Sequence, residues 1–405
     1  MRFPVRRVTA AGIAVGAALT LAATPAFAAG DPYLAADTVM NNAASIAGGG
    51  STFAGPLQNA AQAYYQARNA NASIAGYQLV GSGAGEVGIL NNTFSWGGTD
   101  VPMSQTDINS NEPSGKHYTV GQFQQIPIGL GGIAISYNLP GFTNKIHLRF
   151  NATILAKIYQ GKILKWNDPA IKALNKTYAA KLPNHAIDYV ARADKSGSTY
   201  IFTNFLGVAA PALWTTAPSK APLTLQNSGD LAGTGNPGMA ADIAHNQFTI
   251  GYVEYSYVLL NPALANGVAA ILNKSGVYTL PSIPTVAADA AAKPNVSPAS
   301  LATYSIVFEP TKGGRTAKVQ AYPIAGYTWA IVWQHQTDAN KGTLLVKYLD
   351  WLSHSWPPIA HQIAGQNIAG QQGYVPLPAN IQHLARFSLL AVRGPASQVL
   401  LTTHG

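Results

Sequence analysis

The chain has 405 residues, a formal net charge of +9 and no cysteine, which excludes disulfides, thiolate metal sites and a cysteine nucleophile together. Only 10% of residues are charged, against roughly 25% in ordinary soluble proteins. The bases are scattered rather than clustered, so a nucleic-acid groove is not expected. A surface built from Ser, Thr, Asn, Gln and Gly fits an acidic exterior, where carboxylates protonate and stop contributing.

The first residues read as an export signal. Arg2, Arg6 and Arg7 precede an apolar run from Ala10 to Ala23, and Ala26-Phe27-Ala28 supplies the small residues that a signal peptidase reads. Cleavage is expected after Ala28, with 29–43 as a linker, no lipid anchor, and a periplasmic or secreted mature chain. Removing the three arginines from the 25 basic residues leaves 22 against 16 acids. The mature chain is long enough for two domains, each with its own core.

"SIAGGGSTFAGPLQNAAQAYYQARNA" then reads as strand, glycine turn and helix, and "YQLVGSGAGEVGILNN" repeats the pattern. "FSWGGTDVPMS" is a strand ending in a polar turn. Strands alternating with helices predict an α/β architecture with mostly parallel sheets flanked by helices, and ligands gather at the carboxyl ends of such strands. "IPIGLGGIAISYNLPG" is a long β-run. "ATILAKIYQGKILKWNDPAIKALN" is a helix with Ile154, Leu155 and Ile158 on one face, ending near Asp168-Pro169. "YVARADKSGSTYIFTNFLG" runs from strand into helix through Arg192, Asp194, Ser196, Gly197 and Ser198. "TIGYVEYSYVLL" reads as a strand, with Tyr252, Tyr255 and Tyr257 as strand packing. Residues 261–316, rich in Ala, Pro and Ser, read as a surface excursion without a role. "AYPIAGYTWAIVW" is another long β-run, "GTLLVKYLDWLSH" an amphipathic helix with Leu345, Tyr348, Leu349 and Leu352 inward, and the chain beyond Arg393 a loose tail. The β-runs near 126–137 and 322–333 imply crossings between two lobes, with a ligand cleft between them: 44–129 with 271–390, and 130–270, followed by a tail 391–405.

Three segments place a hydroxyl residue and glycines at the mouth of a helix: Ser51-Thr52-Phe53, Ser82-Gly83 and Ser196-Gly197-Ser198. Such mouths present unpaired N–H donors and the positive end of the peptide dipoles, which favour anions. Arg192 adds a fixed planar charge, and Asp194 is explained if it holds that arginine. Asp100 is either a turn-capping carboxylate or the discriminating residue. A carboxylate among donors repels a fully ionised sulfate but accepts the proton that phosphate still carries.

These motifs, with "GGGSTFAGP", "YQLVGSGAGE", "SWGGTDVPMS", "TILAKIYQGKILKWNDPAI", "RADKSGSTYIFTNFL", "IGYVEYSYV" and "YPIAGYTWAIVW" in that order, resemble the periplasmic phosphate-binding protein of phosphate ABC transporters, a solute-binding protein family. The match covers most of 45–260 and 320–377. The resemblance implies a two-lobed periplasmic-binding-protein fold (type II) that closes by a hinge on one dehydrated phosphate. It places Thr52, Phe53 (through its backbone), Ser82, Asp100, Arg192, Ser196, Gly197 and Ser198 on the anion, with Asp194 orienting Arg192. Ser198 replaces the family's usual threonine but keeps the hydroxyl. "FAGP" stands where Phe-Pro-Ala-Pro is usual. The resemblance further implies a monomer that binds inorganic phosphate, partners a membrane permease and ATPase subunits, and uses no cofactor, metal or nucleic acid. An exported phosphatase and a receptor for sulfate or molybdate are the alternatives. The phosphatase lacks any matching nucleophile or metal motif, since the nine histidines are dispersed and none shows HExxH spacing.

Overall fold

Two glycine-rich strand ends set the architecture. In the computed structural model, which describes residues 44–69, 71–293, 304–355 and 364–401, β1 (Ala44–Gly50) ends in three glycines and leads into α1 (Gly55–Arg68). Pro56 sits in the first turn of α1, where a missing N–H breaks no helical bond. The expected signal segment 1–28 and linker 29–43 lie outside the described residues. The chain continues through β2 (Ala72–Gln78), α2 (Ser82–Leu90), β3 (Trp96–Thr99), α3 (Gln105–Asn111), β4 (Phe123–Asn138), β5 (Arg149–Phe150), α4 (Ala152–Tyr159) and α5 (Pro169–Leu174). Then follow β6 (Asp188–Arg192), α6 (Gly197–Ala209), β7 (Leu231–Gly233), α7 (Gly235–His245), β8 (Thr249–Glu254), α8 (Tyr255–Leu260) and α9 (Pro262–Ala265). The last elements are β9 (Ala270–Leu272), β10 (Tyr278–Thr279), α10 (Ile283–Ala292), β11 (Ala325–Trp333), α11 (Ala339–Ser353), α12 (Gly365–Gln371) and α13 (Ala379–Leu390).

The main sheet has eight strands in the order β2-β1-β3-β11-β4-β8-β6-β7. Its two outer wings, β2-β1-β3 and β8-β6-β7, are parallel, whereas β11 and β4 run antiparallel at the centre. The sheet is therefore mixed, with parallel pairing confined to the wings. β4 serves both sides: Phe123–Gly132 pairs with β11, and Ile133–Asn138 pairs with β8. Among the described residues β11 pairs with β3 and the first part of β4 alone.

Four local readings of the sequence need correction. The run 249–260 is not one strand: the Glu254 carboxylate accepts from the Ser256 N–H (2.9 Å), caps α8 and ends β8, so Tyr255 and Tyr257 are helical. The run 152–175 holds two short helices, α4 and α5, separated by a turn at Gly161 (φ +65). The excursion is structured in its described parts. β9 pairs with β5 and β10 in a three-stranded sheet, and Val268, Ile271, Val286 and Ala290 are buried. Its alanine-rich α10, capped by Ser282, carries too little contrast between faces to be read as a helix. The described part of the tail, 391–401, is anchored through Val392 and Leu400, both buried, and by bridges from Arg393 to His335 and Val399.

Without disulfides, large aromatic side chains fill the core. Leu345, Tyr348, Leu349 and Leu352 of α11 are fully buried, and Tyr348 packs against Tyr65 (5.2 Å between centroids) and Trp96 (5.6 Å). Where α2 crosses β1 and β3, packing is set by absence of side chains. A Cβ on Gly85 would lie 2.5 Å from the Gly98 carbonyl oxygen and 2.7 Å from Gly50 Cα. This close approach brings the N-terminus of α2 to the end of β3, beside Asp100. Gly85→Ala is expected to lower unfolding free energy by about 1–3 kcal/mol in urea titrations, because backbone, not a flexible side chain, must move.

Candidate functional site

Each segment singled out in the sequence reaches the same place by the same geometry, a strand that ends and a helix that begins. Ser51-Thr52-Phe53 follows β1, Ser82 opens α2, and Asp100 follows β3 directly. From the other wing, Arg192 is the last residue of β6 and Ser196 caps α6, accepting from the Thr199 N–H (3.2 Å). All but Asp194 are buried: Thr52, Phe53, Ser82, Asp100, Arg192, Ser196, Gly197 and Ser198.

Asp100 is the meeting point of the wings. Its carboxylate accepts from the Ser51 hydroxyl in a very short bond and from the Ser82 hydroxyl at 3.3 Å. The Ser82 oxygen accepts in turn from the Gly197 N–H of α6 at 3.1 Å. A Cβ on Gly197 would lie 2.6 Å from the Asp100 carboxylate, so glycine is required for this approach. Arg192 is held by Asp194 through two parallel bonds, Nε to Oδ1 at 2.8 Å and Nη2 to Oδ2 at 2.5 Å. That bidentate fork fixes the guanidinium plane. The Phe53 ring packs near Tyr374, and its N–H donates to the Ser51 hydroxyl oxygen at 3.0 Å.

Two participants were not singled out in the sequence. Gly235 and Asn236 form a fourth helix mouth, at the start of α7. The Asn236 N–H and Nδ2 both donate to the Thr52 hydroxyl oxygen (2.9 and 3.1 Å), Nδ2 also reaches the Ser198 hydroxyl (3.4 Å), and the Gly235 N–H donates to Asp194 Oδ1 (2.9 Å). Ser51, read only as part of a mouth, is the closest partner of Asp100. The signal for the fourth mouth was "GTGNPGM", a glycine-rich turn between a short strand and an alanine-rich helix.

The cluster thus offers many donors, one fixed cation and one buried acceptor. Among the described residues no group of three His, Asp or Glu side chains could hold a metal ion. A small cavity of about 50 Å³ opens beside Asp100, walled by Tyr200, Asn204, Tyr304, Tyr327 and Trp329.

A family model described as "PBP superfamily domain" matches residues 35–353. The chain is 30% identical over 339 residues to the phosphate-binding protein PstS of Pasteurella multocida (strain Pm70), covering 84% of this chain and 88% of that protein. It is 29% identical to the phosphate-binding protein PstS of Xylella fastidiosa (strain 9a5c), covering 83% and 82%. A solved high affinity periplasmic phosphate-binding protein, bound with phosphate at pH 8.5, shares the fold with a TM-score of 0.63 at 23% identity, over 85% of this chain and 93% of that one.

Burial shifts several carboxyls of the molecule in one direction. Asp100 is pushed up to about 6 by burial, against the pull of the Ser51 and Thr328 hydroxyls, the Arg192 charge and Ser82. Burial likewise pushes Glu86 up to about 7, against Lys220 beside it, and raises Glu254 and Asp289 well above the ordinary range. Between their unfolded and folded values these groups hold protons in the folded chain that the unfolded chain releases, so their contribution to stability falls as pH rises through that window. Below the unfolded values near 4 both states are protonated and the contribution is complete. Thermal unfolding is therefore expected at a higher temperature at pH 5 than at pH 8. A midpoint that falls between pH 8 and pH 5 would contradict this balance.

Proposed function

The chain belongs to the PstS family of phosphate-binding proteins within the PBP superfamily, and from that premise we propose that it is an exported, high-affinity receptor for inorganic phosphate. It binds one dehydrated anion between two lobes, 44–129 with 271–390 and 130–270, which close about β4. It passes the anion to the permease and ATPase subunits of an ABC transporter, works as a monomer without a cofactor, and catalyses no reaction. No helix among the described residues is long and apolar enough to cross a membrane, and the basic and apolar start of the chain supports export through a signal cleaved after Ala28, to the periplasm or beyond the cell.

One observation carries the reading: a single buried carboxylate, Asp100, stands among hydroxyl and N–H donors contributed by both wings. With its pKa near 6, it is ionised at neutral pH and can only accept. An anion that still carries a proton, such as HPO₄²⁻, supplies the donor that this acceptor requires. Sulfate brings a lone pair and a negative charge to the same point. Thr52, Ser82, Ser196 and Ser198 with the N–H groups of Phe53 and Gly197, which exchange the Ser51 and Ser82 hydroxyls for the anion, take the remaining oxygens, and Arg192, steered by Asp194, supplies the countercharge.

Calorimetric titration of phosphate and then sulfate at pH 8 tests the reading on protein stripped of bound anion by unfolding and refolding. Stoichiometric phosphate binding with sulfate silent is expected. Asp100→Asn should let sulfate compete, and Arg192→Ala should weaken phosphate by about 2 kcal/mol or more. Tighter sulfate than phosphate binding by the unaltered protein would overturn the assignment, and phosphate affinity unchanged in both variants would overturn the site.

A further inference from the structure

Away from the anion cluster, a second polar contact joins the two wings. Lys220 lies in the loop after α6, anchored to its own wing by the Ser219 N–H on Thr203 Oγ1 (3.4 Å) and by the Tyr189 hydroxyl on the Thr224 carbonyl. Its Nζ reaches across to the other wing and donates to both Glu86 oxygens (2.7 and 2.8 Å) and lies 2.7 Å from Asp107 Oδ1. Glu86 is 1% exposed, Lys220 11% and Asp107 23%. Both ends of the bridge lead to the site. The Lys220 carbonyl accepts from the Ser196 N–H (2.8 Å), and Glu86 Oε1 accepts from Thr99 Oγ1 (2.9 Å), the neighbour of Asp100.

We propose that Lys220 and Glu86 form a latch between the wings, positioning residues that set how long phosphate is retained without touching it. The proposal rests on the phosphate reading above. Glu86 belongs to α2, Asp107 to α3 and Lys220 to the opposite wing, so any separation of the wings parts the lysine from both carboxylates. In the joined form the charges are withdrawn from water but satisfy one another. Although burial pulls it down, the two carboxylates hold Lys220 above its ordinary value, so the latch carries its positive charge. Removing the lysine alone takes from the buried Glu86 carboxyl the donor that bonds both its oxygens and the charge beside it, so in the joined form it must either stay ionised and unpaired or take up a proton; either way that form is penalised and the separated one spared. Apparent affinity scales with the population of the binding-competent form, so the penalty appears as faster release.

Stopped-flow measurement of phosphate association and dissociation on the mature protein, Lys220→Met, and Lys220→Met with Glu86→Met tests the latch. The single variant is expected to release phosphate about 10- to 100-fold faster, with association changed by no more than about threefold. The double variant removes the buried Glu86 carboxyl together with its partner and leaves Asp107, 23% exposed and bonded to the Ser104 N–H and hydroxyl, so it should recover most of the loss, which also excludes misfolding as its cause. Release by Lys220→Met within about twofold of the unaltered protein overturns the latch while leaving the phosphate reading intact. A double variant as impaired as the single one also overturns it, because the loss then lies in distortion of the loop. An unaltered protein that binds no phosphate overturns the functional reading and this proposal with it.

Discussion

The Asp100 carboxylate faces the first turn of a helix that belongs to the other half of the sheet, and the rest of the site is arranged around that contact. A buried carboxylate is costly to hold in its charged form unless donors and a countercharge surround it. Here the donors come from Ser51 and Ser82, and the countercharge comes from Arg192 across the seam. The hydroxyls and the guanidinium that favour the ionised form come from opposite sides of the seam, so the surroundings of this acceptor are complete only where the wings meet. In the receptor proposed above, selectivity and closure are two readings of one electrostatic balance.

That balance needs backbone at close quarters, which explains the glycines. Gly50, Gly85 and Gly98 let α2 lie against β1 and β3, and Gly197 lets α6 approach Asp100. Gly81, at a positive φ of 89°, leaves room for the Asp194 carboxylate, since a Cβ there would stand 2.2 Å from Asp194 Oδ2. The same aspartate thus orients Arg192 on its own wing and fills a gap left by a glycine on the other. Of the buried charged residues among those described, Glu86, Asp100, Arg192 and Glu254 stand where the wings join, and Asp230, Asp289 and Asp350 lie away from it.

Much of this was legible in the sequence because strand, glycine, hydroxyl and helix follow one another within a few residues, a pattern that local rules capture. Ser82, Asp100, Arg192 and Ser196 could each be placed at a strand end or helix start from neighbours alone. Asn236 could not, since its role depends on Thr52, 184 positions away. The Lys220 bridge is equally non-local, joining side chains 134 positions apart with no motif at either end. Misreadings arose where composition blurred periodicity. The aromatic run through Tyr255 and Tyr257 looks like strand until the Glu254 cap is seen, and the alanines of α10 give a half-buried helix almost no polar face.

β4 has a consequence for the architecture as a heritable unit. Because its first ten residues complete one half of the sheet and its last six the other, the halves are not separable modules. A cut between Gly132 and Ile133 would leave β11 or β8 with an unpaired row of N–H and C=O groups, an edge prone to pairing with other chains. Recombination that swaps one half for a relative's would have to carry the whole strand, with the Phe53 ring and the Glu254 carboxyl packed against Gly131. New ligand preferences in this scaffold are therefore reached more readily by point changes at the helix mouths than by exchange of lobes.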